Sequence, residues 1–340
     1  MSRLTHFLTG TAAVLAFAPL AGVAQAGDKE ISRQISFGGS CVKCELSGRN
    51  LSGARIIGAN FSGATLVGAN LRDAKFHASV FAGADLTKAD LSDASMSGAN
   101  FAGANLTSAR LRSTEANGVV FTAANLTRAD LSDAEATGSS FSRAIMVNAI
   151  LRSATLSGGV FERANLNAAT LTDSKATGAN FGRANLNGAM LVSAELQSAS
   201  FERAEARGAS FQDADLTGAN LNRGEFGHAS FRSTDLSGAN LSGGTFGGAD
   251  FRGADMSRAV LIGVDLSEAR GLTQDQIDEA CTDAGTRLPR GLVSRGCVGQ
   301  ARWIMRHDRG SYQRIRIVPA VPPAPPAPPA APRYVVSIPR

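Results

Sequence analysis

The chain of 340 residues carries an apolar residue at every fifth position over most of its length. From Leu46 to Leu266, 45 consecutive positions hold Leu, Ile, Phe, Met or, at four of them, Ala, without insertion or deletion. The residue two places earlier is Ala at 33 of these 45 positions, and the rest of each unit is mostly polar or Gly. A period of five matches neither an α-helix nor a flat strand. It predicts a polygonal coil in which two residues of every five point inward and three point outward.

Phenylalanine indicates the length of one coil, because 14 of the 17 Phe residues fall on this register. Eight of them recur at every fourth unit from Phe61 to Phe201, which predicts a stacked internal ladder with four units per coil. The series then moves across the coil to Phe211, with the small Ala206 between, as a core of constant volume requires. The 45 units make about 11 coils, and the rod would be on the order of 50 Å long.

Units such as Asn60-Phe61-Ser62-Gly63-Ala64 carry a family resemblance. The unit resembles the A-(D/N)-L-x-x repeat of the pentapeptide-repeat family, and the resemblance covers residues 46–266. It implies an all-β solenoid, a right-handed quadrilateral β-helix, which we assign to residues 46–270. The repeat also explains the composition, because Ala fills the inward small position and only 6% of residues are aromatic.

The N-terminal segment predicts export. Arg3 precedes an apolar stretch at residues 7–23, and a small-x-small cleavage site ends at position 26. This pattern is typical of a secretory signal peptide, so residues 1–26 are expected to be removed and the mature chain to be periplasmic or secreted. The alternative is a membrane anchor, which Pro19 disfavours by interrupting the run. No later segment is apolar and long enough to span a bilayer.

Residues 27–45 and 271–300 are predicted to cap the two ends of the solenoid, since open terminal coils would be sticky edges. In the C-terminal cap, residues 273–284 predict a helix. Thr273 and Gln276 form a capping box, and Gly285 supplies the stop.

The four cysteines allow three pairings. Cys41 and Cys281 would lie at opposite ends of the rod, beyond the reach of a disulfide. Cys281 and Cys297 are therefore predicted to staple the C-terminal cap. Cys41 and Cys44 occupy inward positions of the first, incomplete coil, and their C-x-x-C spacing leaves open a structural disulfide, two thiols, or a redox or metal site.

Residues 301–340 form a basic and Pro-rich tail. Residues 271–340 hold ten basic and five acidic residues, whereas positions 45–270 hold 20 basic and 22 acidic, so the net charge of +5 does not come from the rod. Residues 301–316 carry five arginines together with Trp303 and Tyr312, and such a stretch is a candidate for binding anionic headgroups. The alternatives are a solvated basic tail or a short strand packed on the cap. The candidate residues for headgroup binding are Arg302, Trp303, Arg306 and Arg309. Residues 319–332 predict a polyproline II spacer.

Because coils stack in register, corresponding residues of successive coils form outward columns. The most unusual column consists of Arg143, Arg163, Arg183, Arg203 and Arg223. It is a candidate surface for a repeating anion or a partner. The alternative is a solvated ladder of Arg–Glu pairs, with Glu162, Glu202, Glu205 and Glu225 nearby. A second column holds Glu195, Asp215, Asp235 and Asp255, which could collect a cation or reflect only the family's preference.

No catalytic constellation is found, because the four histidines are scattered and there is no phosphate loop. The chain is therefore expected to be non-enzymatic, with no cofactor and no metal site, and to present flat faces to an unknown protein or anionic component of the cell envelope. One alternative is binding of an anionic polymer or membrane surface through the arginines and the tail. Another comes from the resemblance, since some family members mimic DNA and bind type II topoisomerases. The near-neutral rod and the export signal argue against it, so no nucleic-acid partner is expected, and the oligomeric state stays open.

Overall fold

The computed structural model describes residues 39–297, 302–308 and 311–317. The predicted signal peptide, most of the predicted N-terminal cap, the Pro-rich segment 319–332 and Arg309 lie outside the described residues.

Single parallel bridges between corresponding residues of successive coils organise the chain from Ser40 onward. They form four ladders, and each ladder defines one face of the solenoid. Face A follows the ladder from Ser40 to Val260, face B from Glu45 to Asp265, face C from Asn50 to Arg270, and face D from Arg55 to Asp255. The coil of four units expected from the Phe series is therefore the coil that the structure has.

The five-residue unit follows from one corner geometry, illustrated by residues 60–64. The Asn60 side chain accepts a hydrogen bond from the Ser62 backbone N–H at 2.9 Å, and the Ala64 N–H donates to the Phe61 carbonyl at 3.0 Å. Gly63, between them, has a left-handed φ of 64°. Asn and Asp suit the first position because a short side-chain acceptor can close the turn on its own backbone.

The core consists of the central residue and the small residue of each unit. The rings of Phe141 and Phe161 stack at a centroid distance of 4.7 Å and an interplanar angle of 5°, and the ladder is continuous from Phe61 to Phe201. Phe201 then meets Phe211 edge to face, at 5.6 Å and 89°. Ala206 is fully buried in the same coil. The series of stacked Phe rings thus moves from face A to face C in this coil, with the methyl group of Ala206 between the two rings.

Helix α1 spans Gln274–Glu279, with Thr273 and Gln276 in the predicted capping box. The prediction that this helix continues to residue 284 is wrong. Ala280 is extended, with φ −88° and ψ 163°, and Cys281 pairs with Val260 as the next rung of face A. The unpaired edge of the last coil explains the difference. The Cys281 N–H donates to the Ala259 carbonyl at 2.7 Å, which satisfies backbone groups that a longer helix would leave open.

Two disulfides are present. Cys281 is bonded to Cys297, with the Cα atoms 4.4 Å apart, and Cys41 is bonded to Cys44, with the Cα atoms 5.3 Å apart. One disulfide therefore lies at each end of the repeat region.

The tail contains an antiparallel hairpin of β1, Arg302–Asp308, and β2, Ser311–Ile317. Arg302 is opposite Ile317 and Asp308 is opposite Ser311. The segment is therefore extended, but its two strands pair with each other, whereas the predicted alternative was a short strand packed on the cap.

A buried carboxylate on face C makes the stability of the solenoid depend on pH. The side chain of Asp250 is 8% exposed and accepts hydrogen bonds from Arg252. The Arg252 side chain is the main cause that lowers the pKa of Asp250 to about 2, against the opposing effect of burial. Since this folded-state pKa lies below the unfolded value of about 3.9, the interaction stabilises the fold above pH 4 and is lost as the pH falls toward 2.

We expect Asp250→Asn to lower the free energy of unfolding by about 1 kcal/mol near neutral pH, allowing for the exposure of Arg252. The difference from the wild type should shrink between about pH 4 and pH 2. Denaturant titrations across this range measure it, with the exposed Asp73→Asn as the control. A difference that stays constant down to about pH 2 would contradict the assigned Asp250–Arg252 interaction.

Candidate partner-binding surface

The corner between faces A and B carries Arg143, Arg163, Arg183, Arg203 and Arg223, which we call the arginine column. All five are exposed and have φ of 56° or 57°. The same corner position in the flanking coils is held mainly by glycine with φ of 64° or 65°. These residues are Gly63, Gly83, Gly103, Gly243 and Gly263.

The backbone at this corner does not itself favour arginine. A left-handed φ costs a residue with a Cβ atom about 1 kcal/mol, whereas glycine adopts it freely. Neighbouring coils also lie close together, because the stacked rings of Phe141 and Phe161 are 4.7 Å apart. Stacked guanidinium groups at this spacing repel one another by some tenths of a kcal/mol. The column therefore carries both a conformational and an electrostatic cost.

Carboxylates neutralise only part of the column. Arg163 lies 4.0 Å from Glu162, and Arg203 lies 3.8 Å from Glu202. Among the residues that the structure describes, no carboxylate oxygen lies within 4.0 Å of the other three guanidinium groups, those of Arg143, Arg183 and Arg223.

The expected ladder of Arg–Glu pairs is therefore incomplete. Glu225, which the sequence places beside the column, forms its salt bridge with Arg207 at 2.6 Å instead. Arg207 belongs to the next corner, between faces B and C. The arginine column consequently keeps net positive charge.

Face A, on one side of the column, carries no charge along its ladder. From Ser40 to Val260 the ladder residues are all Asn, Ser or Val. The charged groups at this edge of face A are therefore the arginines themselves and the two carboxylates paired with them, those of Glu162 and Glu202.

The second column of the sequence analysis lies on face D. Glu195, Asp215, Asp235 and Asp255 are successive rungs of one ladder, which we call the acidic column. Burial alone would raise the pKa of Asp215, but hydrogen bonds from Thr217 and Gln197 outweigh it and lower the pKa. In the described part of the chain, no group of three or more His, Cys, Asp or Glu residues could hold a metal ion. None of the four carboxylates forms a described salt bridge.

The remaining predicted site residues are placed as follows. Arg302, Trp303 and Arg306 lie in β1. None of the described helices is long and apolar enough to cross a membrane.

Among the exposed large apolar side chains, three lie on the ladders of faces B and C, and the sequence analysis did not predict them. Ile145 on face B is 45% exposed, and Ile150 and Met190 on face C are 39% and 48% exposed. Their signal in the sequence is an apolar residue at the position of the unit that usually holds Asn, Asp or a hydroxyl residue.

Comparisons with known proteins agree with this architecture. The sequence model of the family described as "Pentapeptide repeats" matches the chain in overlapping segments that together cover residues 44–115 and 124–270. The chain belongs to the pentapeptide-repeat family. Membership implies the right-handed quadrilateral β-helix that was expected from the family resemblance.

Several solved structures are similar to the chain. HetL, a pentapeptide repeat protein of the cyanobacterium Nostoc sp. strain PCC 7120 involved in heterocyst differentiation regulation, is 30% identical; the match covers 64% of this chain and 90% of HetL, with a TM-score of 0.36. QnrB1, a plasmid-mediated fluoroquinolone resistance protein, is 19% identical over 58% of this chain and 90% of its own, with a TM-score of 0.31. Rfr23 of Cyanothece 51142 is 22% identical over 41% and 63%, with a TM-score of 0.14. No curated protein matches the chain.

Proposed function

We propose that this protein is an exported, non-enzymatic interaction scaffold that presents the faces of a rigid β-helix to a component of the cell envelope. In this proposal the rod has about 11 coils, and residues 271–300 close its C-terminal end. Members of the pentapeptide-repeat family are generally non-enzymatic, which supports a binding role.

The arginine column is the observation that carries this proposal. Five consecutive coils place arginine at a corner whose backbone favours glycine, and three of the five have no carboxylate within 4.0 Å in the described structure. A requirement of the fold alone would be met by glycine, as in the flanking coils. Binding of an anionic partner would offset the repulsion among these arginines.

Export is tested by fractionating cells that produce the full chain and determining the N-terminus of the product. The proposal expects a mature protein that begins near Gly27 and is found outside the cytoplasm. Full-length protein confined to the cytoplasm would overturn the proposed location.

A second candidate function is binding of an anionic polymer or of an anionic membrane surface. The unneutralised guanidinium groups favour it, because arginine binds phosphate, sulfate and carboxylate groups with paired donors. Their repeat of about 4.8 Å per coil suits a ligand whose charges also repeat.

We expect the substitutions Arg163→Ser, Arg183→Ser and Arg203→Ser together to weaken binding at least about tenfold, because each removes one charge from a shared surface. Retention on heparin and co-sedimentation with anionic lipid vesicles measure this and separate a polymer from a membrane ligand.

The matched control loses the same charge at three other corners, through Arg128→Ser, Arg232→Ser and Arg258→Ser. All three arginines are exposed and form no described salt bridge. Equal weakening in both variants would show that net charge, not the column, carries the binding. Wild-type protein that flows through heparin and ignores vesicles at low salt would overturn this candidate.

A DNA-mimic function receives less support from the described surface. Positions 45–270 hold 20 basic and 22 acidic residues, whereas duplex DNA carries about one negative charge per 1.7 Å. The arginine column would also oppose a partner that binds DNA.

A further inference from the structure

Two charge columns of opposite sign, neither of them fully neutralised, run along this molecule at the same spacing. The arginine column follows the corner between faces A and B, and the acidic column follows the ladder of face D. Both advance by one coil per charge, so the distance between successive charges is the same in each. Neither column is fully neutralised within its own chain, since the only described salt bridges of the two columns are those of Arg163 and Arg203.

The two columns cannot pair within one molecule. Glu195 lies about 0.6 of a coil beyond Arg183, which places the acidic column on face D, about 140° from the arginine column around the rod. The hydrophobic core of stacked Phe rings lies between them. Residual positive charge therefore faces one side of the rod and residual negative charge faces the other.

We propose that a second copy of this chain binds along the arginine column with its own acidic column, so that rods associate side by side and parallel. Parallel copies bring the two columns together when one copy is also turned by roughly 40° about its long axis, because the columns lie about 140° apart around the rod. In one such register Arg183 faces Glu195, Arg203 faces Asp215 and Arg223 faces Asp235 of the next copy, because the spacing of one column reproduces that of the other.

This contact uses different surfaces on the two copies, so it does not close on itself and generates rows of rods. The inference uses the arginine column of the proposed function as one half of the interface, but it does not depend on which envelope component that column binds.

The exposed position of both columns makes the association sensitive to salt. Screening shortens the range of such contacts from about 30 Å at 10 mM to about 8 Å at 150 mM ionic strength. Sedimentation velocity of the mature protein at about 10 mM salt should show a mean mass that rises with protein concentration, and about 0.5 M salt should return it to the monomer.

Neutralising the acidic column tests the interface without touching the arginines. We expect the triple variant Glu195→Gln, Asp215→Asn and Asp235→Asn to raise the apparent dissociation constant at least about tenfold at low salt, through the loss of three pairs. Its binding to heparin should not weaken. The matched control is Asp73→Asn, Asp173→Asn and Glu268→Gln, which changes the net charge equally at exposed residues without described salt bridges.

Charge exchange gives the sharper test. Arg183→Glu, Arg203→Glu and Arg223→Glu in one variant, and Glu195→Lys, Asp215→Lys and Asp235→Lys in another, should each abolish self-association. An equimolar mixture should restore mixed assemblies, because each altered column then meets its opposite on the other variant. A circular dichroism spectrum like that of the wild type establishes that each variant is folded.

A wild type that remains monomeric at low salt, or an equal effect of the acidic-column variant and its control, would overturn the inference. So would a mixture of folded exchange variants that stays monomeric. If the protein self-associates but does not bind heparin, the proposed binding of an anionic ligand would be wrong and the proposed self-association would stand.

Discussion

Phe161→Ala is expected to lower the free energy of unfolding by about 3–5 kcal/mol, the usual cost of emptying a buried Phe site. Phe161 is fully buried, and its ring stacks on Phe141 and Phe181, each at 4.7 Å. The substitution leaves a cavity and removes two stacked contacts, each worth about 0.5–1.5 kcal/mol beyond the buried area. Chemical denaturation followed by circular dichroism measures the change.

Phe61→Ala is the matched control for this prediction. Phe61 is 5% exposed and stacks on only one ring, that of Phe81, at 5.0 Å. A solenoid is held together by contacts between adjacent coils, so a residue near the end should matter less than the same residue in the middle. Equal losses for the two variants would contradict a ladder in which each ring is supported by its neighbours.

Ala206→Phe is expected to destabilise the protein by about 3 kcal/mol, because it would add a third ring to a filled coil. Ala206 is fully buried in the coil in which Phe201 and Phe211 meet edge to face at 5.6 Å. The physical cause is excess volume, since the four faces of a coil are fixed by backbone bridges to the coils on either side.

Removing Phe201 should relieve this strain. Phe201→Ala alone should cost about 3–5 kcal/mol, but the double variant should be more stable than the sum of the two single effects by at least about 1 kcal/mol. A thermodynamic cycle of the four proteins by denaturant titration gives this coupling. Additive effects would mean that the space available to the side chain at position 206 does not depend on the side chain at position 201.

The coil could be predicted from the sequence because two patterns agree. The period of five defines the repeat unit, and the 20-residue interval between Phe residues shows that four units make one coil. The sequence predicted the first Phe ladder but not all of the second half. Phe226 and Phe246 also stack, at 5.1 Å on face B. Their sequence signal is Gly244, where an added Cβ would lie 2.7 Å from the Phe246 ring. The need for glycine at this position depends on the orientation of the Phe246 ring inside the coil, and the periodicity of the sequence does not report ring orientations.

The C-terminal helix shows where local pattern fails. The capping box of Thr273 and Gln276 correctly located the start, since it depends on neighbouring residues only. The end at Glu279 is set by Cys281, which extends to pair with Val260. Pairing to a distant coil overrides a local helical pattern.

The candidate site was predicted in part for the same reason. The positions of the arginine column follow directly from the repeat of four units per coil. The extent to which carboxylates neutralise the column does not follow from the repeat. The Glu225 side chain, on face B, pairs with Arg207 at the corner between faces B and C rather than with an arginine of the column. A long charged side chain can pair with any opposite charge within its length, and the repeat in the sequence does not report these distances.

The central claim, that the arginine column acts as one binding surface, is tested most directly by removing its arginines one after another. The salt concentration that elutes the protein from heparin should fall stepwise as Arg183, Arg203, Arg163, Arg223 and Arg143 are changed to Ser in succession, because each residue contributes one charge at the same corner. The control variant at Arg128, Arg232 and Arg258 should elute close to the wild type. An elution position unchanged after all five substitutions, or lowered as much by the control, would contradict the claim.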